Sequence, residues 1–121
     1  MNVQHIGIVG QGFVGSAIRH AFAPYYSVYT YDKVLTDLST HKSVSDLSKS
    51  CDLIFVCVPT PMREDGSCDI SIVKKVVQEA CSTGRRNIIV IKSTIPPNTT
   101  KTLQALCQDS QIVFNPEFLL E

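Results

Sequence analysis

The sequence has no tryptophan, no excess charge of either sign, no C-x-x-C cysteine pair and no long apolar run. A membrane-spanning helix needs about 18 apolar residues, and the opening MNVQHIGIVG lacks the charged leader of a secretion signal, so neither feature is expected. Eleven Lys and Arg balance eleven Asp and Glu, so no overall field would attract nucleic acid or an anionic membrane. We therefore expect a cytoplasmic protein that holds any anionic ligand by local contacts.

The five cysteines, at positions 51, 57, 68, 81 and 107, are odd in number and widely spaced. This pattern is not that of a disulfide framework or of a zinc site. It fits buried or unreactive thiols in a reducing compartment. The three histidines also lack metal-ligand spacing, so we expect no metal.

Short apolar runs alternate with longer stretches of helical periodicity in a chain whose 121 residues suffice for one domain. In the runs LIFVCV and NIIVI, the side chains on both alternating faces of the strand are apolar. This is typical of central parallel strands that helices cover on both faces. The sequence predicts strands at 3–9, 27–31, 53–58, 87–91 and 112–114, and helices at 13–23, 43–50, 69–82 and 99–108. Right-handed crossovers then give an α/β doubly wound parallel sheet of order 2-1-3-4-5.

Three glycines follow the first predicted strand with the spacing G-x-G-x-x-G, at Gly10, Gly12 and Gly15. In a strand-turn-helix context the first glycine allows a tight turn, the second admits a diphosphate and the third lets the helix pack closely. The helix N-terminus offers free N–H groups and a partial positive charge to phosphates. The alternative is a glycine turn of an α/β domain that binds no ligand.

Asp32 ends the second predicted strand, at the distance from the glycines where a dinucleotide fold places a carboxylate against the adenosine ribose. A carboxylate accepts hydrogen bonds from ribose hydroxyls and repels a 2′-phosphate. The predicted cofactor is therefore NAD rather than NADP, although the neighbouring Lys33 weakens that preference. A surface aspartate without a ligand is the alternative.

Two proline-stiffened loops follow the third and fourth strands, VPTPMREDGSCDIS at 58–71 and KSTIPPNTT at 92–100. Both begin at the carboxyl ends of parallel strands, where ligands of open α/β sheets bind. The hydroxyls of Thr60, Ser93 and Thr94 should therefore lie near the glycine turn.

These motifs together resemble the N-terminal, Rossmann-type domain of the UDP-glucose/GDP-mannose dehydrogenase family. The resemblance rests on GQGFVG, Asp32, FVCVPTP with EDGSCDIS, KSTIPPNTT and the final NPEFLLE, in family order. It implies oxidation of the C6 alcohol of a nucleotide sugar to a carboxylate by two NAD, with a cysteine thiolate trapping the aldehyde. It also implies cofactor contacts by Gly10, Gly12, Phe13, Val14, Gly15, Asp32, Lys33, Val58, Pro59, Thr60, Ser93, Thr94 and Glu121.

Two catalytic roles are implied by the same resemblance. Thr94 corresponds to the residue that helps to hold a catalytic water, and Glu117 to the carboxylate that assists proton transfer and thioester hydrolysis. Partial shielding by Phe114, Phe118 and Leu119 would raise the pKa of Glu117 toward that of a general base. A solvated carboxylate at a helix start is the alternative for this residue.

The sequence departs from the family pattern in two ways. Residues 33–50 form a shorter crossover than is usual and lack the basic residue commonly found after the ribose acid, which predicts a simpler outer edge and weaker NAD binding. The catalytic cysteine and lysine have no counterpart, so the chain should need the family's central and C-terminal domains, or a companion chain, to bind nucleotide sugar and complete the oxidation.

The alternatives are a free-standing NAD-binding module without catalysis and the NAD domain of a β-hydroxyacid dehydrogenase. A second copy of the chain is a further candidate partner, whereas nucleic acid and membranes are not expected.

Overall fold

Five parallel strands form one sheet in the computed structural model, which describes residues 3–116. The strands are β1 His5–Val9, β2 Ser27–Tyr31, β3 Leu53–Val56, β4 Ile88–Ile91 and β5 Gln111–Phe114. The helices are α1 Phe13–Phe22, α2 Val44–Ser50, α3 Ser71–Cys81 and α4 Thr99–Leu106, with a 3-10 turn at Thr36–Leu38. The sheet order is β2-β1-β3-β4-β5, which confirms the predicted topology and makes β2 an edge strand.

One face of the sheet holds the main core. Ile54 and Val56 of β3 and Ile89 and Ile91 of β4 are fully buried, in one cluster with apolar side chains of α2, α3 and α4. The β1-to-β2 crossover runs in the opposite direction to the later ones, so right-handedness puts α1 on the other face. On that face Phe55 stacks on Phe22 of α1 at 5.7 Å between ring centroids, yet the alternate positions of β3 and β4 are only half-buried. The prediction that helices cover both faces of the sheet is therefore correct for only one face within the described residues.

Element ends differ from the predicted ones by one or two residues. Helix α3 begins at Ser71 rather than at position 69, because the Asp69 carboxylate accepts a hydrogen bond of 2.9 Å from the Ser71 N–H and forms a turn before the helix. Strand β3 ends at Val56, where the chain turns into the proline-rich loop. Glu117 and Glu121 lie outside the described residues.

A disulfide joins Cys81, the last residue of α3, to Cys107, which directly follows α4. The Cα atoms are 5.8 Å apart, within the usual range for such a bond. The prediction of free thiols is wrong for this pair, because sequence spacing does not show that the ends of two helices meet in space. Cys51, Cys57 and Cys68 are free, as expected.

Two further expectations concern absences. Within residues 3–116 no three potential metal-ligating side chains come together. None of the helices in this part of the chain combines the length and the apolar character needed to cross a bilayer.

Candidate functional site

The candidate site lies at the carboxyl ends of the strands, where the sheet order reverses. The chain leaves β1 toward β2 on one side, and β3 lies on the other side of β1. Loops that follow β1 and β3 therefore diverge and leave a crevice, which is where open α/β sheets bind ligands. The predicted loops after β1, β3 and β4 all end up at this edge.

The glycine turn, residues 10–15, is built by close backbone contacts. Gly10 has φ +97°, and a Cβ there would lie 2.5 Å from the carbonyl oxygen of Cys57, which directly follows β3. A Cβ on Gly15 would overlap the carbonyl oxygen of Gly10. Both positions therefore require glycine, and the contacts bring α1 down onto the ends of β1 and β3.

Gly12 has the opposite environment. It is the N-cap of α1, with φ −74° and ψ −154°, and no described atom comes within 4 Å of where its Cβ would be. No side chain of residues 3–116 caps the helix, and its first turn has no acidic residue. The first N–H groups of α1 are thus left without a side-chain cap and are available to an anion. The open space beside Gly12 fits a diphosphate that approaches the backbone.

Gln11, between the two glycines, was missed by sequence reasoning, which treated it as a variable position. Its side chain is only 2% exposed, and its amide nitrogen donates to the Gly10 carbonyl at 3.1 Å. Its Oε1 is shielded from solvent and has no hydrogen-bond partner among the described residues. The Gln11 backbone N–H donates to Oδ2 of Asp32 at 2.7 Å, so this residue joins the glycine turn to the predicted ribose carboxylate.

The Asp32 carboxylate accepts three backbone hydrogen bonds. Besides Gln11, the N–H groups of Val34 and Leu35 donate to its Oδ1 at 2.8 and 2.7 Å. Burial acts to raise the pKa of Asp32, but the N–H donors of Leu35, Gln11 and Val34 together outweigh it and leave the pKa below its usual value. Asp32 is therefore ionised at neutral pH. A carboxylate has about four lone-pair positions, so one remains for a ligand hydroxyl within this arrangement.

Hydrogen bonds join the loops after β3 and β4. The buried Ser93 hydroxyl donates to the Val58 carbonyl at 2.6 Å. The Cys68 thiol lies 4.0 Å from the Thr60 carbonyl and 3.7 Å from the Thr94 carbonyl, as a weak donor to both. Ser93, Val58, Thr60 and Thr94 are thus brought together at one edge.

Other predicted cofactor residues lie on the surface of the same edge. Phe13 is 62% exposed at the first position of α1, Val14 is half-buried, and Lys33 and Pro59 are exposed. The side chain of Thr94 is also exposed, whereas Thr60 is half-buried. The two predicted carboxylates of the final segment fall outside residues 3–116.

Two of the free cysteines, Cys57 directly after β3 and Cys51 before it, are not activated thiols. Burial raises the pKa of Cys57 to about 12, against a smaller opposing effect of the Lys92 charge. Burial likewise raises the pKa of Cys51 to about 12. Because the thiolate is the nucleophile, neither side chain is suited to attack an aldehyde at neutral pH.

Comparison with known proteins points to the same family as the sequence motifs. The model of the UDP-glucose/GDP-mannose dehydrogenase family, NAD binding domain, matches residues 27–121, from β2 onward. A putative UDP-glucose 6-dehydrogenase of Bacillus subtilis is 29% identical over 96% of this chain and 35% of its own length. A UDP-N-acetyl-D-mannosamine dehydrogenase of Methanococcus maripaludis is 38% identical over 68% of this chain and 21% of its own length.

The fold also matches that of a solved structure. A UDP-glucose dehydrogenase from Pyrobaculum islandicum superposes with a TM-score of 0.83 and 25% identity, over 99% of this chain and 37% of that one. This match and the Bacillus alignment include the glycine turn, which precedes the segment matched by the family model. The chain spans little more than a third of these two proteins.

Proposed function

Because the chain belongs to the UDP-glucose/GDP-mannose dehydrogenase family, we propose that it is the NAD-binding domain of a nucleotide-sugar 6-dehydrogenase. Such an enzyme oxidises the C6 alcohol of a nucleotide sugar to a carboxylate at the expense of two NAD. The observation that carries the proposal is the uncapped N-terminus of α1 beside Gly12, with the ionised Asp32 linked to it through the Gln11 backbone.

Each part of the site has a role in this proposal. The N–H groups of the first turn of α1 hold the cofactor diphosphate, and the last lone pair of Asp32 accepts from the adenosine ribose. Val58, Pro59 and Thr60 line the crevice toward the nicotinamide. NAD, when bound, supplies a hydride acceptor for the sugar carbon.

The loop after β4 and the final segment supply the polar groups near the reacting carbon. Ser93 acts through its bond to Val58, which holds the two loops at a fixed separation. The exposed hydroxyl of Thr94 holds a water, Glu117 moves a proton to or from that water, and Glu121 contacts the nicotinamide end of NAD. These three assignments rest on the family resemblance.

Completion of the oxidation depends on groups outside these 121 residues. Cys51 and Cys57 are protonated at neutral pH, and Cys81 and Cys107 are paired with each other. The chain covers only 35% of the Bacillus relative. On the family resemblance, we assign the thiol that traps the aldehyde, and the sugar-binding groups, to further domains or to a companion chain.

Fluorescence titration with NADH tests the binding step. The wild-type chain should bind NADH, and Gly12→Val should weaken binding by at least tenfold, about 1.4 kcal/mol, because the added side chain fills the space for the diphosphate. The extended backbone of Gly12 accepts valine without strain, so the fold should survive. Ala17→Val, on the exposed side of the same helix, is the matched control. Equal NADH affinity in the Gly12→Val chain and the wild type would contradict the proposal.

A second measurement addresses catalysis. The chain alone, given UDP-glucose or GDP-mannose and NAD, should form no NADH. Appreciable NADH formation would show that the thiol and sugar-binding groups are already present. A chain that still forms none when supplied with the remaining domains of a relative would instead favour the NAD-binding module without catalysis.

A further inference from the structure

The exposed edge of β2 is sealed by two side-chain hydroxyls. Because β2 is an edge strand, the backbone groups of Thr30, and of Asp32 directly after the strand, point away from β1. The Ser39 hydroxyl accepts from the Asp32 N–H at 2.8 Å and donates to the Asp32 carbonyl at 3.2 Å. Thr40 does the same for Thr30, with its Oγ1 2.8 Å from the N–H and 3.3 Å from the carbonyl. The backbone N–H groups of Thr40 and His41 also donate to the Thr30 carbonyl, at 2.9 and 3.2 Å. Two consecutive side chains, together with these N–H groups, thus take the place of a neighbouring strand.

We call residues 33–43, between β2 and α2, the outer connection. Packing contributes little to holding it in place. Its three apolar side chains all remain partly exposed: Val34 is 82% exposed, Leu35 43% and Leu38 37%. A cavity of about 420 Å³ is lined by residues 37–40, by Arg19 of α1 and by Ala23 directly after that helix. Since little apolar surface is buried, hydrogen bonds have to fix the position of the connection.

Asp32 is the point at which these bonds converge. Its carboxylate is held by the N–H groups of Gln11, Val34 and Leu35, while its main chain is held by Ser39 alone among the described residues of the connection. With one lone pair left for a ligand, a small rotation of the Asp32 backbone would turn that lone pair away from a ribose hydroxyl. The Ser39 hydroxyl opposes this rotation from both the N–H and the carbonyl side.

We propose that Ser39 is a positioning residue for dinucleotide recognition: through the backbone of Asp32 it aims the free lone pair of the carboxylate at the adenosine ribose. The inference rests on the proposed NAD-binding function. It concerns the adenosine half of the ligand and predicts no effect on the nicotinamide half. Ser39 itself touches no ligand.

Calorimetric titration with half-ligands tests the proposal. Ser39→Ala should weaken binding of ADP and of NADH roughly fivefold to tenfold, the worth of about one net hydrogen bond, and leave nicotinamide mononucleotide unchanged. Ser39→Thr, which keeps the hydroxyl, should restore ADP affinity. Thr40→Val is the matched control, because it removes a hydroxyl from the same edge. That hydroxyl holds the backbone of Thr30, two residues before Asp32. The Thr40→Val substitution should lower stability but change ADP affinity less than about twofold.

The contrary outcomes are distinct. Unchanged ADP affinity in Ser39→Ala, an equal loss for nicotinamide mononucleotide, or an equal effect of Thr40→Val would overturn the positioning role. A wild-type chain that binds neither NADH nor ADP would overturn the proposed function, and with it this inference. If the Ser39→Ala chain does not fold, Ser39→Cys, with a weaker donor and acceptor of similar size, provides the same comparison. Faster hydrogen exchange of the Asp32 amide, expected in either variant without ligand, is an independent readout.

Discussion

The glycine turn and the outer connection meet at the Asp32 carboxylate, but they are held in place by different forces. In the turn, Gly10 and Gly15 are fixed by backbone contacts so close that a single added carbon would overlap a carbonyl oxygen. In the connection, the apolar side chains are partly exposed and the hydroxyls of Ser39 and Thr40 hold the backbone. One region is fixed by shape and the other by hydrogen bonds.

The difference has consequences for tolerance to substitution. Steric contacts in a packed region fail abruptly, because neither the backbone carbonyl nor the helix can move out of the way without loss of packing elsewhere. Hydrogen bonds at a half-exposed edge fail gradually, because water replaces part of each lost bond. One methyl group added in the turn, at Gly15, should therefore lower the free energy of unfolding more than removal of the Asp32 charge does.

The largest effect is expected for Gly15→Ala. Its Cβ would overlap the Gly10 carbonyl, so α1 must move away from β1, and we expect a loss of more than about 4 kcal/mol in the free energy of unfolding. Gly12→Ala, in open space three residues earlier, should lose less than about 1 kcal/mol. Urea denaturation of both variants measures the difference. Equal stabilities would mean that the turn is not held by steric contact.

A smaller effect, remote from both regions, is expected for loss of the Cys81–Cys107 bond. The bond closes a loop of 26 residues, for which the chain-entropy model gives about 3.5 kcal/mol. It lies at the C-terminal ends of α3 and α4, whereas the site lies at the carboxyl ends of the strands, near the starts of these helices. The Cys81→Ser/Cys107→Ser chain should therefore unfold at lower urea yet bind NADH with unchanged affinity. Altered NADH affinity in the fraction that remains folded would show that the site depends on this distant bond.

Features fixed by shape could be read from the sequence, whereas features fixed by hydrogen bonds could not. The spacing of Gly10, Gly12 and Gly15 after an apolar run predicts the turn, since few other residues fit such contacts. The alternation of apolar runs and helical stretches predicts the sheet order for a similar reason, because right-handed crossovers leave few topologies. The NAD cofactor predicted from Asp32 is confirmed by the family model.

The roles of Gln11 and Ser39 were not predictable in this way. Serine and glutamine are common in loops, and nothing in the order of residues 33–43 shows which hydroxyl meets which backbone group. The Cys81–Cys107 bond was missed for a related reason: it depends on the relative placement of two helix ends, which periodicity within each helix does not contain. The roles of Glu117 and Glu121, outside the described residues, stay predictions.

The smallest effect is expected where the two regions meet, in Asp32→Asn. Asparagine keeps one acceptor oxygen but loses the charge that Val34, Leu35 and Gln11 solvate together, and partial exposure limits the loss to about 1–2 kcal/mol at pH 7. Because the pKa of Asp32 is lower in the folded state, its charge stabilises the fold above the unfolded value of about 3.9. That contribution disappears as the pH falls through the lower folded pKa.

Urea midpoints of the wild type and Asp32→Asn should therefore converge as the pH is lowered from about 5 to below the folded pKa. Asp46→Asn is the matched control, because Asp46 is an exposed carboxylate of α2. A stability difference that persists unchanged at acid pH would mean that the Asp32 side chain acts by shape, like the glycine turn, rather than by the hydrogen bonds to its charge.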